Sequence, residues 1–180
     1  MKKNYTVETI DAVPYFNIET FMILSQNRRV DQQTVDLVDE YWDKWKSLIN
    51  ARSIRMGNAG YLLVWLDESV EETVNKLWET SPSQAFTLNS LAQAICMAVM
   101  QDLVPEAAAD GCAPVPKPNA SLKKALREIG VPWEDESTLS RQFAMMTNYP
   151  YRGGCNICFL KDDCPKRNID QIAPVGGTAP

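Results

Sequence analysis

The fold class of this 180-residue chain depends on one stretch, Met56-Gly57-Asn58-Ala59-Gly60-Tyr61-Leu62-Leu63-Val64-Trp65-Leu66. Its last six residues are all apolar and follow two glycines, a pattern that suits either a buried strand or a buried helix segment. A single strand would leave its backbone N–H and C=O groups unpaired, and the sequence shows no obvious partner strand. We therefore expect this stretch to be helical.

Helical spacing continues on both sides of this stretch. Apolar residues recur every three or four positions, and Asn17, Asp31 and Asp67 stand where helix-capping residues are expected. Ser121 is likewise expected to cap the helix that ends at Ile129. The segment 84–103 is nearly uncharged and rich in Ala, Leu, Met and Ile, which is typical of a helix at the centre of a bundle. Besides the opening stretch, helices are predicted over residues 18–27, 32–52, 68–79, 84–103, 121–129 and 138–147.

Length and composition indicate one folded domain. Hydrophobic residues make up 45% and charged residues 23% of the chain, and these values are ordinary for a globular protein. We expect a single-domain, all-α antiparallel helical bundle over residues 1–168. Within it, residues 111–167 would be the cluster segment, whose C-terminal part is irregular and held together by a metal cluster, and residues 169–180 would be a mobile tail.

Charge and hydropathy narrow the classes of partner and the compartment. The net charge of −5 gives no positive field for a phosphate backbone, so nucleic acid is not an expected partner. No run approaches the roughly 18 apolar residues of a membrane helix, and polar residues follow Met1-Lys2-Lys3 directly, so neither membrane insertion nor export is predicted. We expect a cytoplasmic protein, in a reducing compartment where clustered cysteines more often bind metal than form disulfides.

Three cysteines lie close together near the end of the chain. Cys155, Cys158 and Cys164 follow C-x2-C-x5-C spacing within residues 153–165, called the cysteine loop below. Thiolates at this spacing can reach one metal ion or cluster. The chain contains no histidine, so a fourth ligand of this kind must come from the two remaining cysteines, Cys96 and Cys112.

Cys112 is the better candidate for the fourth ligand. It lies in a proline-rich linker, residues 106–119, whose composition favours extended and irregular backbone. Cys96 falls inside the apolar segment 84–103, where a buried structural cysteine is expected. The pattern is compatible with an iron–sulfur cluster, with a four-cysteine zinc site or with redox-active thiols. Zinc is disfavoured because Cys112 does not belong to a second C-x2-C pair.

The cysteine loop resembles the iron–sulfur loop of endonuclease III-type DNA glycosylases and of AddB-type nucleases in the run Cys155-Asn156-Ile157-Cys158-Phe159-Leu160-Lys161-Asp162-Asp163-Cys164-Pro165. The likeness covers about a dozen residues and implies a four-iron, four-sulfur cluster bound by Cys155, Cys158 and Cys164. In the glycosylases a further cysteine precedes the pair, at the position of Asn148 in this chain. The resemblance therefore implies a remote fourth ligand, as in the nucleases, and it does not imply DNA repair.

Four cysteine ligands would leave no open metal position for a substrate, which suits electron transfer, redox sensing or a structural role better than catalysis. Basic side chains around the cysteine loop would stabilise a negatively charged cluster and offer a rim on which a protein partner could dock. This basic rim comprises Arg152, Lys161, Lys166 and Arg167, and is offset by Asp162 and Asp163. The alternative function is a helical adaptor or maturation chaperone whose cluster or zinc ion is purely structural.

Overall fold

The computed structural model describes residues 4–27, 29–109, 114–134, 139–152, 157–159 and 161–162. Both helices and strands occur in this part of the chain. In chain order they are β1 (Thr6–Ile10), α1 (Ile18–Leu24), α2 (Gln32–Trp45), β2 (Ile49–Met56), β3 (Ala59–Leu66), α3 (Glu68–Thr80), α4 (Pro82–Leu103), α5 (Pro105–Ala109), α6 (Ala120–Ile129) and β4 (Ala144–Asn148).

The four strands form one antiparallel sheet in the order β1-β2-β3-β4. A tight hairpin joins β2 to β3, and in its turn Gly57 adopts a φ of +56°, which costs glycine little because it has no Cβ. β4 comes from far along the chain and pairs with the other edge of β3, in a register that places Asn148 opposite Tyr61. The fold is therefore mixed α/β, and the predicted all-α helical bundle is wrong.

Three segments that were predicted to be helical contain strands. The opening stretch contains all of β3. Its partner β2 begins at Ile49, within the predicted helix 32–52, because the helix in that region, α2, already ends at Trp45. β4 lies at the end of the predicted helix 138–147, where Ala144, Met145 and Met146 are good helix formers. Pairing along both edges of β3 supplies the backbone partners that the sequence did not reveal, and it overrides local propensity.

β3 is covered on both faces, which explains its continuous apolar sequence. Leu62, Val64 and Leu66 belong to a larger core beneath α4. The alternate residues of the strand, among them Leu63 and Trp65, belong to a smaller core beneath α6. Because side chains alternate between the two faces of a strand, only a strand buried on both sides needs an unbroken apolar run.

α4 lies at the centre of the larger core. Its residues Leu88, Leu91, Ile95 and Val99 are buried, and the core around them also receives side chains from α1, α2, α3 and β3. Burial on several sides accounts for the nearly uncharged sequence of this helix, as predicted. None of the helices that the structure describes has both the length and the apolar character needed to cross a membrane.

The predicted helix starts are confirmed at three of four positions. Asn17, Asp31 and Asp67 each accept a hydrogen bond from a backbone N–H in the first turn of α1, α2 and α3, at 3.0, 2.8 and 3.0 Å respectively. The cap of α6 is Asn119, whose Oδ1 accepts from the N–H of Leu122, and not the predicted Ser121. The start of the proline-rich linker is helical, as part of α5, where extended backbone was predicted.

Candidate metal centre

The structure describes only one of the four predicted ligands. Cys112, Cys155 and Cys164 lie outside the described residues, whereas Cys158 is described and half-buried. Within the described ranges, no three His, Cys, Asp or Glu side chains come together in a way that could hold a metal ion. The contacts that bear on the candidate centre are therefore those of described residues close to these cysteines in the sequence.

A backbone hydrogen bond joins the cysteine loop to the proline-rich linker. The N–H of Phe159 donates to the carbonyl oxygen of Val115 at 2.9 Å. Phe159 directly follows Cys158, and Val115 comes three residues after Cys112 in the sequence. This contact was not predicted, and it brings together the two segments to which the sequence assigned the ligands.

The linker is held in place on the sheet at this point. The hydroxyl of Thr147, on β4, donates to the carbonyl oxygen of Pro114 at 3.1 Å, and the side chain of Thr147 is fully buried. Val115 packs against the smaller core beneath α6. Pro114 and Val115 therefore connect β4 to Phe159, which no residue pattern in the sequence had indicated.

The segment Tyr149–Arg152, which precedes the cysteine loop, is anchored to the β2–β3 hairpin. The N–H of Tyr149 donates to the carbonyl oxygen of Gly60 at 2.9 Å, and a Cβ built on Gly60 would collide with the carbonyl oxygen of Tyr149. Beyond this contact, Nη2 of Arg152 lies 3.5 Å from the carbonyl oxygen of Asn58. The sequence did not indicate that this hairpin supports the segment that precedes Cys155.

A cleft of about 580 Å³ opens beside the same hairpin. One wall is the corner between α4 and α5, from Leu103 to Glu106, and another is the segment Tyr149–Tyr151. Arg55 and Asn58 contribute polar groups from the hairpin. In the sequence, the first wall is followed by the predicted ligand Cys112 and the second by Cys155.

Two members of the basic rim are described, one directly before the cysteine loop and one within it. Arg152 is exposed and Lys161 is half-buried, while the acidic Asp162 beside them is exposed. The N–H of Lys161 donates to the carbonyl oxygen of Cys158 at 3.2 Å, so the chain turns directly after this cysteine. Lys166 and Arg167 lie outside the described residues.

Cys96 is buried in the larger core, as predicted. Its Sγ lies 3.5 Å from the carbonyl oxygen of Phe143, to which it donates. Burial raises the pKa of the Cys96 thiol to about 12, because a thiolate would lose its solvation there. A protonated thiol with a carbonyl acceptor is a poor metal ligand, so this environment suits a structural cysteine.

The raised pKa of Cys96 predicts a loss of stability in alkali. The unfolded chain releases the thiol proton near the ordinary value of 9.0, whereas the folded chain holds it to about 12. The contribution of this group is complete below about pH 9 and is lost as the pH rises toward 12. The free energy of unfolding, measured with urea, should decrease between about pH 8 and about pH 10, and this decrease should be smaller in Cys96→Ala than in the parent protein. Equal decreases in the two proteins would show that the Cys96 thiol does not have a raised pKa in the folded chain.

Comparisons with protein families, with curated proteins and with solved structures gave no significant match.

Proposed function

We propose that this chain is a cytoplasmic iron–sulfur protein that carries electrons, or senses redox state, through a protein partner. Its single four-iron, four-sulfur cluster would be held by Cys112, Cys155, Cys158 and Cys164. The observation that carries the proposal is the 2.9 Å hydrogen bond between Phe159 and Val115, because it joins the two segments that contain these cysteines.

Chain length limits how far the fourth ligand can lie from the loop. Three peptide steps of about 3.8 Å separate Cys112 from Val115, so their Cα atoms are at most about 11 Å apart. Val115 is itself hydrogen-bonded to the residue that follows Cys158. A cluster and the side chains of two cysteines can bridge such a gap, whereas Cys96 is enclosed in the larger core.

The donor set favours iron and sulfide over zinc. Only thiolates are available, since the chain has no histidine, and a single C-x2-C pair departs from the paired knuckles of structural zinc sites. The half-buried Phe159 beside Cys158 provides an apolar neighbour that would limit access of water. When bound, such a cluster supplies a one-electron redox centre.

The surroundings of the loop support transfer to a protein partner more than chemistry on a substrate. Four thiolate ligands would occupy every protein-facing position of the cluster, so no iron would be open to bind a substrate. The exposed Arg152 and the neighbouring Lys161 would favour an acidic docking surface on the partner. The helical adaptor or chaperone remains the alternative, in which the same cysteines hold a structural cluster or zinc.

A redox titration of anaerobically purified protein tests the proposed function. We expect a brown protein whose visible absorption bleaches in one reversible one-electron step, at a potential between roughly −700 and +450 mV. A cluster that cannot be reduced in this range would favour the structural alternative. Colourless protein that contains zinc would exclude the iron–sulfur proposal.

A further inference from the structure

An apolar groove runs between α1 and α2, and it shares no residue with the candidate metal centre. It encloses about 230 Å³ and is called the α1–α2 groove below. Its apolar lining comprises Phe16, Ile18, Phe21, Val30, Val35, Val38 and Trp42.

The floor of the groove is part of the core, but its walls are open to solvent. Phe21 and Val38 are buried in the larger core. Phe16, Ile18 and Val35 remain 38%, 46% and 44% exposed. The ring of Phe16 stands edge-on to that of Trp42 at 5.5 Å between centroids. Large apolar side chains grouped around a concave surface are typical of a protein-binding site.

One carboxylate, that of Asp39, lines the α2 side of this groove. Asp39 lies within the apolar stripe of Val35, Val38 and Trp42, and it is exposed. Among the described residues, no lysine or arginine nitrogen lies within 4.0 Å of Asp39 or of Asp36, one turn before it.

The lysines of the same helix region already have partners. Lys44 bonds to Glu40 at 2.5 Å, and Lys46 bonds to Asp43 at 2.6 Å. Arg29 is a cation near the start of α2, directly before the groove residue Val30. Asp39 at the groove and Asp36 one turn before it therefore have no basic partner among the described side chains.

We propose that the α1–α2 groove binds a basic amphipathic helix of a partner protein. The apolar residues Val35, Val38 and Trp42 follow i, i+3, i+7 spacing and extend over about 10 Å of α2, which matches the apolar face of another helix. Lysine or arginine beside that face would reach Asp36 and Asp39. These carboxylates would repel an anionic lipid surface. They would also repel a second copy of this chain, because the chain carries a net negative charge.

Two fluorescent peptides of about 18 residues, with the same leucine and phenylalanine face, provide the probe. One carries lysine and the other glutamate at the remaining positions. Anisotropy titrations of the intact protein should show binding of the lysine peptide at least about tenfold tighter than binding of the glutamate peptide. Similar affinity for both peptides, or no binding of the lysine peptide, would overturn the proposal.

Surface variants localise the binding to the groove. Val35→Ser and Asp39→Asn should each weaken binding of the lysine peptide about fivefold to tenfold, because each removes one recognition element. Both residues are exposed, so the variants should fold normally. The matched controls on α3, Trp78→Ser and Glu79→Gln, replace an exposed apolar and an exposed acidic residue and should leave the affinity unchanged. Equal losses in the controls would show nonspecific attraction and contradict the site.

Two further measurements test the other possible occupants of the groove, a membrane surface and a second copy of the chain. Flotation with vesicles of phosphatidylglycerol should leave the protein in solution, and Val35-dependent flotation would instead assign the groove to a membrane surface. Sedimentation should give a mass that Val35→Ser does not change. A dimer that this variant dissociates would assign the groove to a second copy of the chain and overturn the proposal.

Discussion

Replacing Gly60 with alanine should lower the free energy of unfolding by about 3 kcal/mol, the upper end of the usual cost of forcing extra volume into a packed site. The added Cβ would collide with the carbonyl oxygen of Tyr149 and lie 3.2 Å from its carbonyl carbon. Both obstacles are backbone atoms, so no side-chain rotation relieves the contact. The N–H of Tyr149 is also bonded to the carbonyl of Gly60, and any shift that avoids the collision must strain this bond.

Gly57→Ala, in the turn of the same hairpin, is the matched control. No atom lies within 4 Å of the Cβ that this change would add, so its cost comes from the positive φ of +56° alone. That cost is about 1 kcal/mol. Urea unfolding monitored by circular dichroism should therefore rank Gly60→Ala well below Gly57→Ala in stability. The reverse order, or equal losses, would show that Gly60 is not in contact with Tyr149.

Cys112→Ser should remove or strongly destabilise the cluster, while Cys96→Ser should retain it. A serine hydroxyl is a poor substitute for a thiolate ligand, so losing the remote ligand would leave the centre held only by the cysteine loop. The link between loop and linker would then rest on the single Phe159 to Val115 hydrogen bond and the packing around it. We therefore expect Cys112→Ser to lose visible absorption rapidly in air and to unfold at a lower temperature.

Cys96→Ser controls for the loss of a cysteine as such. The new hydroxyl remains close to the carbonyl oxygen of Phe143, which already accepts from the thiol, so the buried polar atom keeps a partner. This variant should keep its absorption spectrum. Loss of the cluster in Cys96→Ser and retention in Cys112→Ser would mean that the assignment of the fourth ligand is wrong.

Local signals in the sequence predicted the helices but not the sheet. The capping residues Asn17, Asp31 and Asp67 act within one turn of chain, so their effect can be read from neighbouring residues. The apolar run of β3 was ambiguous because Leu62 and Leu63 point into two different cores. A strand buried on both faces has no polar alternation to distinguish it from a buried helix.

The partners of β3 were hidden for different reasons. β2 follows α2 so closely that Leu48 and Ile49 continue the helical spacing, although the helix ends at Trp45. β4 consists mainly of residues that favour helices, and only its pairing with β3 makes it a strand. That pairing joins residues about 80 positions apart in the chain, which local sequence patterns do not encode.

For the candidate centre, residue chemistry predicted the ligands, and the fold added contacts between described residues that are close to them in the sequence. The clustered cysteines and the absence of histidine indicated an all-thiolate site. The contacts of Val115 with Phe159 and of Pro114 with Thr147 depend on tertiary structure and have no signature in the sequence. The burial of Cys96 was predictable, because the segment around it is apolar on every side.

Iron and acid-labile sulfide analysis of anaerobically purified protein tests the central claim most directly. The proposed centre predicts about four iron and about four sulfide per chain in the parent protein and in Cys96→Ser, with most of both lost in Cys112→Ser. One zinc per chain without iron, or a full complement of iron in Cys112→Ser, would contradict it.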